Sequence, residues 1–162
     1  MIDATDRKIL ALLQENARIP AAEIGRTIQL ASSAVHQRIR KLEESGVIQG
    51  YEARIAARAV DRGLVAFVRV RTGKGARAPE ITRELTELAE VQEVHRVVGE
   101  DCFFVKLRVK DTHALAEILD HRIQLIPNVA STHTTIVLTT AKETPWLPLD
   151  GPEENGLGGA TG

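Results

Sequence analysis

Residues 30–51 read LASSAVHQRIRKLEESGVIQGY. Val35, Ile39 and Leu42 recur at helical spacing and fall together on a wheel, which predicts a helix from about Ser32 to Ser45 with one buried stripe. Gly46 follows, suited to the left-handed conformation that ends a helix. Ser33, His36, Gln37, Arg40 and Glu44 fall on or near the opposite face, and Arg38 lies at the edge of the buried stripe. Arg38, Arg40 and Lys41 thus gather positive charge on one short segment of a chain whose formal net charge is −1.

Two readings compete for that face. Arg40 and Glu44 form an i,i+4 pair, which stabilises a solvated helix without binding anything. The same face also suits a DNA major groove, where Gln pairs with the edge of adenine, Arg with that of guanine, and Ser with base or phosphate. The preceding sequence favours the second reading. Ile9, Leu10, Leu13 and Ala17 recur at helical spacing, with Asp3 or Thr5 placed to cap the start. Pro20 opens PAAEIGRTI, a short second helix with Ile24 and Ile28 inward. Residues 29–31 make a tight turn into the third helix. Three helices with such a turn before the last make a helix-turn-helix unit, expected over residues 1–50. Ser33, His36, Gln37 and Arg40 are then the candidates for base-edge contact, and Ser32, Arg38 and Lys41 for phosphate contact, on double-stranded DNA.

Beyond a linker at residues 51–63 the pattern changes. Residues 64–72, LVAFVRVRT, end in the alternation of a half-buried strand. A helix over 79–90 carries Ile81, Leu85 and Leu88 on one stripe, and strands are expected at 91–99 and 102–110. A helix over 112–126 carries Leu115, Ile118, Leu119 and Ile123, and a β-branched strand occupies 129–140. The order βαββαβ over residues 64–144 is that of a ferredoxin-like domain, four antiparallel strands with two helices on one face. The chain is therefore α+β. The other sheet face is expected to be apolar and uncovered, which predicts a homodimer. Residues 145–162, rich in Pro and Gly, are expected to be a tail, largely disordered past about Asp150.

Composition narrows the classes. Hydrophobic residues make up 43% and charged residues 27%, ordinary for a globular protein, while only 3% aromatics argue against a base-stacking platform. No apolar run reaches the roughly 20 residues that cross a bilayer, no apolar signal core follows Met1, and one cysteine forms no internal disulfide, so a cytoplasmic protein without a membrane partner is expected. Residues 1–62 hold ten Lys/Arg against eight Asp/Glu, and the remainder eleven against fourteen. His36, His95, His113, His121 and His133 show no zinc-like cluster, residues 73–77 lack phosphate-loop spacing, and no nucleophile–base pair stands out. No metal, cofactor or catalytic residue is expected.

The whole chain except its tail resembles the Lrp/AsnC family, the feast/famine regulators. The likeness lies in IDATDRKILALLQENARIP, LASSAVHQRIRKLEESGVIQGY, VVGEDCFFVKLRV and IPNVASTHTTIVL, with Asp6, Ile9, Leu10, Leu13, Arg18, Arg38, Leu42, Gly46, Ile48 and Tyr51 placed as in the family pattern. It implies a transcriptional regulator, not an enzyme. The C-terminal domain would assemble the chain into dimers or higher forms and bind a small-molecule effector, usually an amino acid, between subunits. The implied effector residues are Val98, Gly99, Glu100, Asp101 and Cys102 in the turn after the second strand, with Thr132 and Thr134 on the last strand. Two departures stand out. Cys102 occupies a place where many members carry aspartate, which leaves three readings: a different effector, Asp101 in the charged role, or an unused site. Ala31 stands where a capping serine is common, leaving Ser32 or Ser33 as substitutes. An effector-independent architectural DNA binder is the alternative, and a small ferredoxin-like enzyme a more remote one.

Overall fold

The computed structural model describes residues 2–99 and 102–149. Its described residues divide into two compact units: those within Arg54–Glu143 form one, and those up to Ala53 join residues 144–149 in the other.

The first unit holds α1 (Ala4–Glu15), α2 (Ala21–Ile28) and α3 (Ser32–Glu44). Asp3 caps α1 in a reciprocal capping box: its carboxylate accepts from the Asp6 N–H at 2.7 Å, and the Asp6 carboxylate accepts from the Asp3 N–H at 3.1 Å. Pro20 stands just before α2 as its N-cap, rather than inside its first turn. Ile9, Ala21, Ile24 and Val35 form the small core. The chain turns between α2 and α3 through Gln29, at φ 60°, and the Leu30 N–H donates to the Gly25 carbonyl at 2.8 Å. That turn is tight enough that a Cβ on Gly25 would lie 2.4 Å from the Leu30 carbonyl oxygen. Ala31 is the N-cap of α3 and supplies no side-chain bond; neither Ser32 nor Ser33 takes over, because both already lie inside the helix. Gly46, at φ +72°, ends the helical region.

The second unit has a short 3₁₀ turn at Ala57–Val60, then β1 (Leu64–Thr72), α4 (Ala78–Thr86), β2 (Val91–Arg96), β3 (Phe103–Val109), α5 (Thr112–Ile118) and β4 (Val129–Ile136). The strands form one antiparallel sheet in the order β2-β3-β1-β4, the ferredoxin-like arrangement. Ala66, Val68 and Val70 of β1 and Phe103, Val105, Leu107 and Val109 of β3 pack with Ile81, Leu85 and Leu88 from the α4 segment and Leu115, Ile118 and Ile123 from the α5 segment. α5 is shorter than the sequence pattern predicts. It opens into a π turn at Leu119–Ile123, and that wider turn buries both Ile118 and Ile123, five residues apart.

The uncovered sheet face differs from expectation. Its apolar part is small: Val65 and the ring pair Phe67–Phe104, with centroids 5.4 Å apart. Strand alternation places Arg69, Arg71, Lys106, Arg108, Glu93, His95 and His133 on the same face. Glu143 accepts from Lys106 Nζ and, at 2.5 Å, from Arg108 Nη2, while Glu93 accepts from Lys106 at 2.9 Å. Burial presses the Lys106 ammonium pKa down, but Glu143 and Glu93 together outweigh burial and hold it above its usual value. The face is thus an ion-paired frame around two phenylalanines, not an apolar sheet.

The start of the expected tail lies before Asp150, the point past which disorder is expected. Residues 144–149 return to α1: the Leu147 N–H donates to Gln14 Oε1 at 2.8 Å, and Gln14 Nε2 donates to the Leu147 carbonyl at 3.0 Å. Residues 150–162 lie outside the described residues.

The Gly25 contact yields a test. Alanine normally gains about 1 kcal/mol over glycine inside a helix. Here the added methyl meets a backbone oxygen, so overpacking of about 1–3 kcal/mol should win. Gly25→Ala should lower the urea midpoint of the helical unit; a raised midpoint would mean that the turn relaxes freely.

Candidate nucleic-acid interface and ligand site

α3 presents two faces with opposite tasks. Val35 and Leu42 are buried and Ile39 is half-buried against α1 and α2, which fixes the helix by its apolar stripe. Ser33, His36, Gln37 and Arg40 are all exposed and share the outward face, with Lys41 exposed beside them and Ser32 half-buried at the start. These side chains offer donors and acceptors at the spacing of successive helical turns, as base-edge contact needs.

Arg38 is tied back to α1. Its Nη1 donates to Asp3 Oδ2 and to Asp6 Oδ1, both at 2.7 Å. The carboxylates that cap α1 therefore also hold α3. The Asp6 N–H, foremost, and then the Arg38 guanidinium keep the Asp3 carboxyl below its usual pKa, and Asp3 and Asp6 together raise that of Arg38. Arg38 thereby positions α3 against the start of α1. Sequence spacing concealed this pairing, because the partners lie 35 and 32 residues away. A second such tie joins the Tyr51 hydroxyl to Glu43 of α3 at 2.9 Å.

The second candidate site lies at one end of the sheet. The Val97 N–H donates to the Cys102 carbonyl at 3.0 Å, closing the turn between β2 and β3, and the Cys102 N–H donates to Val70 of β1 at 2.9 Å. Val70 stands opposite Thr132 of β4. The turn and Thr132 thus flank the same rung of β1, while Thr134, opposite Val68, lies two residues further along on the same face. Gly99 adopts φ +142°, a conformation that side chains rarely accept, and Val98 is fully exposed at the tip. Glu100 and Asp101 lie outside the described residues. Thr72, which sequence reasoning did not single out, donates to Cys102 Sγ at 3.0 Å. That bond and contact with the core make Cys102 part of the wall beneath the turn. Among the described residues, no group of three or more His, Cys, Asp or Glu could hold a metal ion, and no helix is long and apolar enough to cross a membrane.

Comparison with known proteins adds to this geometry. Residues 2–43 match the AsnC-type helix-turn-helix domain, and residues 65–147 match the Lrp/AsnC ligand binding domain. An HTH-type transcriptional regulator, FL11, of Pyrococcus horikoshii is 40% identical over 148 residues, covering 91% of this chain and 97% of its own. The leucine-responsive regulatory protein of Escherichia coli K12 is 32% identical, covering 88% of each. Among solved structures, a transcriptional regulator from Neisseria meningitidis in complex with L-Met superposes with a TM-score of 0.87 at 28% identity, covering 93% of this chain and 98% of that one. Escherichia coli AsnC gives a TM-score of 0.85 at 28% identity, covering 91% and 99%.

The Arg38 ties make a pH prediction. The folded-state pKa of Asp3 lies below its ordinary 3.8. Its contribution is therefore present above that value and lost as pH falls through the lower folded one. Arg38→Met, which keeps the apolar stem, should lower the urea midpoint of the helical unit at pH 7. The gap between variant and wild type should close below pH 3.8. A gap of equal size at pH 2 and pH 7 would assign the effect to packing alone.

Proposed function

The chain belongs to the Lrp/AsnC family of transcriptional regulators, with a DNA-binding helix-turn-helix unit and a ligand-binding unit, and on that premise we propose that α3 reads operator sequence under the control of a bound amino acid. The observation that carries the DNA reading is the division of α3 into a buried apolar stripe, an Arg38 held by α1, and an outward row of Ser33, His36, Gln37 and Arg40. Those four contact base edges, and Ser32 and Lys41 contact phosphates. Two copies assemble through the uncovered sheet face, where Phe67 and Phe104 form the apolar centre, and their paired α3 helices read half-sites about one helical turn, or a multiple, apart. The protein acts in the cytoplasm, without catalysis.

On this reading the ligand sits at the turn after β2, with Thr132 and Thr134. The backbone of the turn around Gly99, open to solvent, holds the ligand carboxylate with its N–H groups. Glu100 or Asp101 meets the α-ammonium, and Cys102 lines the wall. The L-Met complex of the Neisseria relative supports an amino acid as the class of ligand. The ligand acts by binding one assembly state more tightly than another, because equal affinity for both would shift nothing.

Fluorescence-anisotropy titration on the DNA upstream of the protein's own gene, at fixed salt and against random duplex, tests both parts. Specific binding shifted by one of the twenty amino acids is expected. Binding no tighter than random duplex would remove the operator reading, and specific binding indifferent to all twenty would remove the amino-acid reading. Arg40→Ala should cost about 1–3 kcal/mol and relax preference at one base pair; uniform weakening across sequences would reassign Arg40 to phosphate. Gly99→Arg should abolish the ligand response while sparing basal DNA affinity, and an unchanged response would move the ligand elsewhere.

A further inference from the structure

The chain passes between its two units twice, at Ala53–Arg54 and at Glu143–Thr144. A single linker leaves a DNA-binding unit free to swivel over the length of that linker. Here both passages are anchored within each unit. In the ligand-binding unit, Arg54 Nη2 donates to the Glu143 carbonyl at 3.4 Å, which brings the two passages together, and the Glu143 carboxylate is fixed by Lys106 and Arg108 of β3. In the helical unit the anchors diverge. Tyr51, on the first passage, is tied to Glu43 of α3; Leu147, on the second, is tied to Gln14 of α1 by two hydrogen bonds, and Arg7 Nη1 donates to the Leu149 carbonyl at 3.4 Å.

The Gln14 contact has a particular geometry. One primary amide donates to the carbonyl and accepts from the N–H of the same residue, as a neighbouring β-strand would do. It recognises backbone, so the bond does not depend on the Leu147 side chain. Pro145 and Pro148 flank the bonded stretch and restrict the backbone on either side of it, which lowers the entropic cost of docking.

We propose that residues 144–149 are a strap, a second tether that holds the DNA-binding unit by α1 and restricts the orientations it can take. With both passages anchored, the unit keeps a narrow range of poses, and a dimer discriminates sharply between half-site spacings. With the strap released, the unit hangs from residues 49–53 alone. It then reaches more spacings, with a lower effective concentration at the best one.

Trp146 is the only tryptophan in the chain and lies in the strap, half-exposed, so it reports docking without a label. Three full-length variants are needed: Gln14→Ala, Leu147→Pro, which removes the N–H, and the double variant. Circular dichroism and urea midpoints establish folding. In the wild type, the time-resolved anisotropy of Trp146 should decay with the tumbling of the folded protein; in each variant a fast local component should appear. DNA affinity is then read on a duplex selected by the wild type from a random pool, and on copies with one to five base pairs inserted between the half-sites. The best-spaced duplex should lose roughly tenfold in affinity in each single variant, with a flatter spacing profile. The double variant should be no worse than either single, because both remove one interaction. A fast Trp146 component already present in the wild type would overturn the strap. So would an unchanged spacing profile in variants whose Trp146 has been released.

Discussion

The carbonyl oxygen of Leu30 sits where a side chain on Gly25 would have to be, and the rest of the DNA-binding unit depends on that approach. A helix-turn-helix works only if the second helix leaves the first at a fixed angle through a very short connection. Here the angle is set by a missing Cβ, a left-handed Gln29 and one backbone hydrogen bond, all within six residues. Given that turn, Val35 reaches the core formed by Ile9, Ala21 and Ile24, and the outward residues of α3 follow from helical geometry. The core of this unit is small, so electrostatic ties supplement it. Asp3 and Asp6 serve twice, once as the cap of α1 and once as the seat of Arg38.

Much of this was legible in the sequence, and the failures have a common cause. Buried stripes such as Ile81–Leu85–Leu88 and Val105–Leu107–Val109 declare themselves by periodicity, because each local repeat reports one buried face. The order of strands and helices followed from the same signal. Long-range polar pairing leaves no such trace. Arg38 looks like a basic residue on a DNA-facing helix, and only its carboxylate partners, far away in sequence, reveal a structural role. The apolar open face expected from the βαββαβ architecture is not what the strands carry. The alternation in β1 and β3 in fact places Arg69, Arg71, Lys106 and Arg108 there. The Gln14–Leu147 pairing is equally silent in composition, because it engages backbone rather than a side chain.

The two units divide labour by the kind of force that shapes them. The ligand-binding unit has a contiguous core on one side of its sheet and a charged frame on the other. The DNA-binding unit has few buried side chains and keeps its polar residues for an outward surface. Its ligand-binding counterpart places the conformationally demanding residue, Gly99, at an exposed turn rather than inside an element. Strained or permissive backbone at a loop, held by a packed sheet, is where binding sites commonly form.

Because α1 is bonded to a residue 133 positions later, the DNA-binding unit is discontinuous along the chain, with consequences for synthesis. Its three helices leave the ribosome first, but the segment that completes the unit emerges only after the whole ligand-binding unit. At ordinary elongation rates the delay is on the order of 10 s, long enough for the sheet to fold in between. Gln14 therefore stays unmatched throughout the interval in which nascent chains could first meet DNA. The helical unit is thus completed last, after the ligand-binding unit.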